Sequence, residues 1–166
     1  MPALRTIAPC LWFDHQAEEA ADFYVSIFPD SRIGRIARYG EAGQEIHGRA
    51  AGSVMTVEFE LDNQPFTALN GGPAFRFSEA VSFQILCETQ QDIDRYWGRL
   101  TEGGDTQAQQ CGWLKDRYGL SWQVVPAAVI RMMCDPDQER RDRVMNSILR
   151  MKKLVIADLE RAFEGS

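Results

Sequence analysis

Residues 111–126, "CGWLKDRYGLSWQVVP", set two tryptophans, a cysteine and a Lys-Asp pair around the turn Asp116-Arg117-Tyr118-Gly119. Apolar and aromatic runs on both sides of a Gly-closed turn predict two strands joined as a hairpin. Strand side chains alternate between faces, so Ser121 and Gln123 share one face and Trp122 and Val124 the other. Trp122 then belongs to the core or to an interface if Gln123 faces a cavity. By the same rule Cys111, Trp113 and Lys115 share a face while the strand stays regular.

The segments before this hairpin complete a unit. "AVSFQILCE" (80–88) reads as a strand, and "TQQDIDRYWGRL" (89–100) as a helix with Ile93, Trp97 and Leu100 on one side. "EGG" at 102–104 ends that helix, and "DTQAQQCGWLKD" (105–116) continues as strand. The first half of the chain has the same order. "LRTIAPCLWF" (4–13) is a strand interrupted only by Pro9. "DHQAEEAADFYVSIF" (14–28) then places Ala17, Ala20, Ala21, Tyr24, Val25 and Phe28 in one helical stripe, which Pro29 stops. "SRIGRIARYG", "SVMTVEFELD" and "QPFTALNGG" follow as strands, with alternation from Val54 to Leu61 and a turn over 62–65.

A β-α-β-β-β order thus occurs twice, over about residues 4–72 and 80–126. After Pro126 the spacing becomes helical, with Val144, Ile148, Met151, Val155, Leu159 and Ala162 three or four residues apart. This tail, about 127–164, is one long helix or two broken near Lys152-Lys153, and it covers sheet surface or a subunit interface. The fold class is α+β: paired βαβββ modules with a C-terminal helical extension, in a single domain spanning 1–166.

Bulk chemistry narrows the partners. The net charge of −6 lacks the basic face that phosphate backbones require, so no nucleic acid is expected. "RMKK" at 150–153 falls in the helical pattern and reads as a solvated face. No apolar run approaches the roughly 18 residues that span a bilayer, so no membrane partner is expected. The N-terminal segment lacks a signal peptide's apolar core. Cys10, Cys87, Cys111 and Cys134 are scattered without a CxxC pair and are expected to be reduced thiols in a cytoplasmic protein.

"CLWFDHQAEEAADFYVSIFPDSRI" (10–33), "FTALNGGPAFRFSEAVSFQI" (66–85) and "CGWLKDRYGLSWQVVP", in that order, resemble segments of the PhnB-like proteins. These form a branch of the vicinal oxygen chelate superfamily, with glyoxalase I, extradiol dioxygenases and bleomycin-resistance proteins. The resemblance extends over roughly residues 5 to 163. It implies modules that curve around a cavity, usually in a homodimer. It also implies a divalent ion held at four strand positions, which fall here on Pro9, on Ala68 or Leu69, near Ser82, and on Gln123. Only Gln123 offers a ligand, and one amide oxygen does not hold a transition metal. No metal and no cofactor are therefore expected.

The family is often labelled 3-demethylubiquinone-9 3-methyltransferase. A methyltransferase commonly reads its cofactor with a glycine-rich turn between a strand and a helix. Gly71-Gly72 and Gly103-Gly104 do not stand in that context, so the activity is not carried over.

The remaining chemistry-bearing residues divide as follows. Cys111 is a buried thiol, or a nucleophile if Lys115 lowers its pKa. His15 belongs at the start of the first helix, in a capping or surface role. His47 lies in a glycine-rich loop and is exposed, unless it leans over the cavity as an acid-base group. Glu45 and Glu58 are spare carboxylates, and Lys115-Asp116 reads as a surface pair. Asn70, Phe75 and Phe77 line a pocket or pack as core, while Trp12 and Phe28 are core.

The expected function is binding of a small molecule, without metal, in a cavity lined by Gln123, Ser82, Asn70, Phe75, Phe77 and Trp113. The alternatives are a metal-independent enzyme using Cys111, His47 or a carboxylate, a metal-dependent lyase or isomerase, the methyltransferase of the family label, and a purely structural protein. A shared fold does not choose among them.

Overall fold

The computed structural model describes residues 7–166, so residues 4–6 of the first predicted strand lie outside it. The chain forms two compact units that meet in sequence at Arg76 and Phe77.

In the first unit, β1 (Cys10–Phe13), α1 (Ala17–Val25), β2 (Arg32–Arg38), α2 (Gln44–His47), β3 (Val54–Leu61) and β4 (Gln64–Asn70) follow in order. The sheet order is β1-β4-β3-β2, with β1 parallel to β4 and the other pairs antiparallel. This is the expected β-α-β-β-β, with one helical turn added between its second and third strands. Alternation sends Leu11, Phe13, Val57, Phe59, Phe66 and Ala68 to the face covered by α1, and all are buried. From α1, Ala17, Ala20, Ala21 and Tyr24 meet them, and Tyr24 stacks on Phe59 at 6.3 Å. Each large side chain so buried contributes about 1.5–3 kcal/mol. Asp62 and Asn63 both have positive φ, as a two-residue type I′ hairpin demands, which sets the register of β3 on β4.

The second unit holds β5 (Ser82–Cys87), α3 (Gln90–Thr101), β6 (Trp113–Lys115) and β7 (Ser121–Pro126). Its sheet order is β5-β7-β6, with β5 parallel to β7. Thr89 caps α3 by accepting the Asp92 N–H at 3.1 Å. Ile93, Tyr96 and Leu100 form the buried stripe of α3, so Tyr96 takes the place expected for Trp97.

The strand predicted through 105–116 is mostly not strand. Asp105 instead caps a 3-10 turn over Thr106–Ala108. Gln110 and Trp113 then exchange backbone hydrogen bonds across Cys111-Gly112, whose φ values are +54° and +83°. "CGW" is therefore the tip of a tight hairpin, and this sheet has three strands where four were expected.

Three helices follow: α4 (Ala127–Met133), α5 (Gln138–Ile148) and α6 (Ile156–Glu164). They enclose a core of Val129, Val144, Ile148, Leu154 and Leu159. The helical pattern breaks over 149–155 because its backbone finds other partners. The Met151 and Lys152 carbonyls accept the Cys111 and Gly112 N–H groups, both at 2.8 Å. The Gln90 side chain takes the Ile156 N–H on its oxygen at 2.9 Å and donates to the Leu154 carbonyl at 3.3 Å. Among the described residues no helix is long and apolar enough to cross a membrane.

Candidate functional site

One face of the β5-β7-β6 sheet packs on α3, through Ile85, Cys87, Leu114, Trp122 and Val124. The opposite face carries Ser82 and Gln84 from β5, Ser121 and Gln123 from β7, and Trp113 and Lys115 from β6. The register aligns these six in two rows. Ser82, Ser121 and Lys115 stand abreast, and Gln84, Gln123 and Trp113 stand abreast one step along. Gln123 is fixed at both ends of its amide: Nε2 donates to Ser82 Oγ at 2.8 Å, and Oε1 accepts from Gln84 Nε2 at 3.3 Å. Lys115 pairs with Glu79, and that hydrogen bond holds the Glu79 carboxyl below its usual range. Ser121 Oγ is buried with no hydrogen-bond partner among the described residues. Such a group costs about 1–3 kcal/mol when left unsatisfied.

Of the residues predicted to line a pocket, Gln123, Ser82 and Trp113 come together on this face. Ser121 shares this face with Gln123 as alternation predicts, and Gln84 joins them, a neighbour that the period of two from Ser82 signals. Phe77 is half-buried in the same unit.

Asn70 and Phe75 belong to the first unit. Asn70 is 6% exposed and its side chain is committed: Oδ1 accepts the Ala17 N–H at 2.8 Å, and Nδ2 donates to the Val54 carbonyl at 3.1 Å. It caps α1 from across the unit, where Gln16 supplies no side-chain cap. Phe75 is exposed and meets Trp12 edge-on at 4.9 Å, while the Trp12 indole donates to the Gly72 carbonyl at 2.8 Å. A cleft of about 220 Å³ in this unit is lined by His15, Glu18, Arg49, Ser53, Val54 and Asn70. Its guanidinium, Arg49, is held by the Asp14 carbonyl at 2.9 Å and carboxylate at 3.2 Å.

The acid-base and nucleophile candidates are dispersed. Cys111 occupies a turn, not a strand, so it does not share a regular strand face with Lys115. Its side chain packs against the core of the helical tail. His47 is in α2 and half-buried, against the expectation of an exposed loop. Its ring lies 4.6 Å from that of Tyr39, Nδ1 accepts the Arg49 N–H at 3.0 Å, and Nε2 donates to the Ala42 carbonyl at 3.3 Å. Glu45 is exposed on the same helical turn, and Glu58 is clamped by two hydrogen bonds of 2.9 Å from Arg35. His15 is exposed beside Asp14. Asp116 is not part of a surface pair. At 2% exposure it accepts the Tyr118 and Leu120 N–H groups on Oδ1 and the Trp122 indole N–H on Oδ2.

The positions implied for a metal do not fit one. The Pro9 carbonyl is taken by the Thr67 N–H at 3.0 Å, and Ala68 is fully buried against α1. That leaves Leu69, Ser82 and Gln123 as the side chains at those positions, one amide and one hydroxyl between them. Among the described residues no three His, Cys, Asp or Glu side chains gather.

Residues 5–125 match the family described as 3-demethylubiquinone-9 3-methyltransferase. A Bacillus cereus protein with the provisional description "3-demethylubiquinone-9 3-methyltransferase, PhnB protein" is 34% identical, over 74% of this chain and 100% of its own, at a TM-score of 0.63. A Pseudomonas aeruginosa protein is 20% identical over 75% of this chain and 98% of its own, at a TM-score of 0.57. A search of curated proteins returns no match. The matched family region stops short of α4, α5 and α6. On the extent of that match and the identity to the Bacillus PhnB protein, the chain belongs to the family described as 3-demethylubiquinone-9 3-methyltransferase.

Proposed function

We propose that the face of the β5-β7-β6 sheet opposite α3 binds a small, partly apolar molecule, without a resident metal and without forming a covalent bond to it. The observation that carries this reading is the Ser82-Gln123-Gln84 row, an amide fixed at both ends beside the Trp113 ring. A fixed amide offers a donor and an acceptor at set positions, and the indole adds apolar area at low entropic cost.

Covalent catalysis has no comparable support. Cys111 packs on the tail core, and the second unit contains no histidine to act as its base. The methyltransferase of the family description has none either. Gly71-Gly72 follows β4 without opening a helix, and Gly103-Gly104 follows α3.

Native mass spectrometry of the gently purified chain tests the proposal. The expected result is a co-purified small molecule that Gln123→Leu loses and that dialysis against a chelator leaves in place. Retention of the molecule by Gln123→Leu, or its loss with a stoichiometric divalent ion, overturns it.

A further inference from the structure

The helical tail carries a groove that the family match does not account for. It lies between α5 and α6, has a volume of about 660 Å³, and is lined by the polar faces of both helices. On one wall Arg143, Asn146, Ser147 and Arg150 follow at i, i+3, i+4 and i+7 along α5 and the turn that prolongs it. On the other wall Asp158, Arg161, Ala162 and Gly165 repeat the same spacing along α6. The apolar stripe of α5, Val144 and Ile148, is spent on the tail core, so these two polar stripes line the groove from either side, bridged at one end by Arg143.

The lining is rich in donors and poor in acceptors. Three guanidiniums, an amide and two hydroxyls, Ser147 and Ser166, stand against one side-chain carboxylate, Asp158. Arg143 is fixed in place: its Nε donates to the Ala162 carbonyl at 2.8 Å and its Nη2 to the Phe163 carbonyl at 2.9 Å. Arg161 pairs with Asp158 one turn away, an exposed pair of little worth that a stronger anion displaces. Arg150 is exposed and makes no ion pair among the described residues. Charge is also distributed unevenly along the chain. Residues 127–166 carry eight Lys and Arg against seven Asp and Glu, whereas residues 1–126 carry ten against seventeen. A cationic groove on an otherwise acidic chain draws anions to that place.

We propose that this groove binds a small molecule bearing two oxyanion groups of the diphosphate class, with Arg150 and Arg161 as the forks that grip it from opposite walls. Two groups are specified because Arg150 and the displaceable Arg161 stand on opposite walls, and arginine is specific for such ligands through its planar pair of N–H donors. Ser147 and Asn146 supply neutral donors between the forks. This site shares no residue with the β5-β7-β6 sheet face.

The test is calorimetric titration of the full chain with inorganic diphosphate at low ionic strength. The expected result is saturable binding whose Kd rises at least tenfold in the Arg150→Gln, Arg161→Gln double variant and is unchanged in Gln123→Leu. Both arginines are exposed, so the double variant is expected to keep the wild-type circular dichroism. If it does not fold, Arg150→Lys replaces it and is expected to weaken binding by losing the fork while keeping the charge. Equal Kd values for wild type and variant overturn the proposal. So does sodium chloride at matched ionic strength raising the melting temperature as much as diphosphate does.

Discussion

Asp116 Oδ2 accepts the Trp122 indole N–H at 2.9 Å, and the same carboxylate accepts two backbone N–H groups of its own turn on Oδ1. One buried side chain thus closes the 116–119 turn and anchors the largest ring on the α3 face of the sheet. A buried carboxylate is tolerated only when its oxygens are satisfied, and here at least three donors satisfy them. Asp116→Ala strands those donors and is expected to cost about 3 kcal/mol, whereas Trp122→Phe, which keeps the ring and removes one donor, is expected to cost about 1–2 kcal/mol. Urea unfolding of both variants checks the order. An Asp116→Ala chain as stable as wild type would remove the turn's claim to be organised by this carboxylate.

The hairpin tip is constrained from two sides. A Cβ on Gly112 would lie 2.9 Å from the Val124 carbonyl oxygen and 3.1 Å from Leu154 Cδ1, at a φ of +83°. Gly112→Ala therefore combines backbone strain with a steric clash and is expected to lower stability by about 2–4 kcal/mol. Cys111→Ser keeps the backbone and changes only a side chain packed on the tail, so about 1 kcal/mol is expected. Thermal melting of the two variants side by side distinguishes them, and equal losses would contradict the geometry of the tip.

The two modules were legible because their signals are local and periodic. The alternation over Val54–Leu61 marks β3 to the residue, and the stripe Ala17, Ala20, Ala21, Tyr24 marks the face of α1. The fourth strand expected in the second module does not form: its residues look like strand in the sequence, but the Cys111 and Gly112 N–H groups go to the tail. Met151 and Lys152 lie about forty residues downstream of the turn they bind, and no local pattern reports that contact. For the same reason Asp116 read as half of a surface pair: nothing in "LKDRYGLSW" says that the indole six residues on returns to it. The resemblance put Ser82 and Gln123 at strand positions that do share one sheet face, but nothing local could show that Asn70, equally polar and at a strand end, is consumed as a helix cap.

Cys87 gives a pH signature. Burial pushes its thiol up from the ordinary value near 9 to about 11, assisted by the Asp92 charge and opposed by Arg95. The folded chain holds this proton more tightly than the unfolded chain does. The stability it confers is thus complete below about pH 9 and is lost as pH rises towards about 11. The difference in unfolding free energy between wild type and Cys87→Ala is expected to narrow by about 1–2 kcal/mol over that interval. Native alkylation at pH 8 is expected to label the exposed Cys134 and spare Cys87. A pH-independent difference between the two proteins would refute the assignment.

Asn70, at the end of β4, and Gln123, inside β7, are both amides, and their hydrogen-bond partners differ in kind. Asn70 satisfies a donor at the start of α1 and an acceptor on Val54, both inside its own unit. Asn70→Ala leaves each without a partner, and the lost cap and buried carbonyl together are expected to cost about 2–3 kcal/mol. Among the described residues the Gln123 amide bonds only to side chains of its own sheet face, Ser82 and Gln84, so water can replace it there. Gln123→Leu is expected to change stability by less than about 1 kcal/mol. Ligand retention should follow the reverse order: intact in Asn70→Ala below its lowered melting point, and lost in Gln123→Leu at full stability. Melting curves and native mass spectra of the two variants, taken together, separate these outcomes. A Gln123→Leu chain that loses stability and keeps its ligand would make that amide a structural clip like Asn70, and the binding site would have to be sought elsewhere.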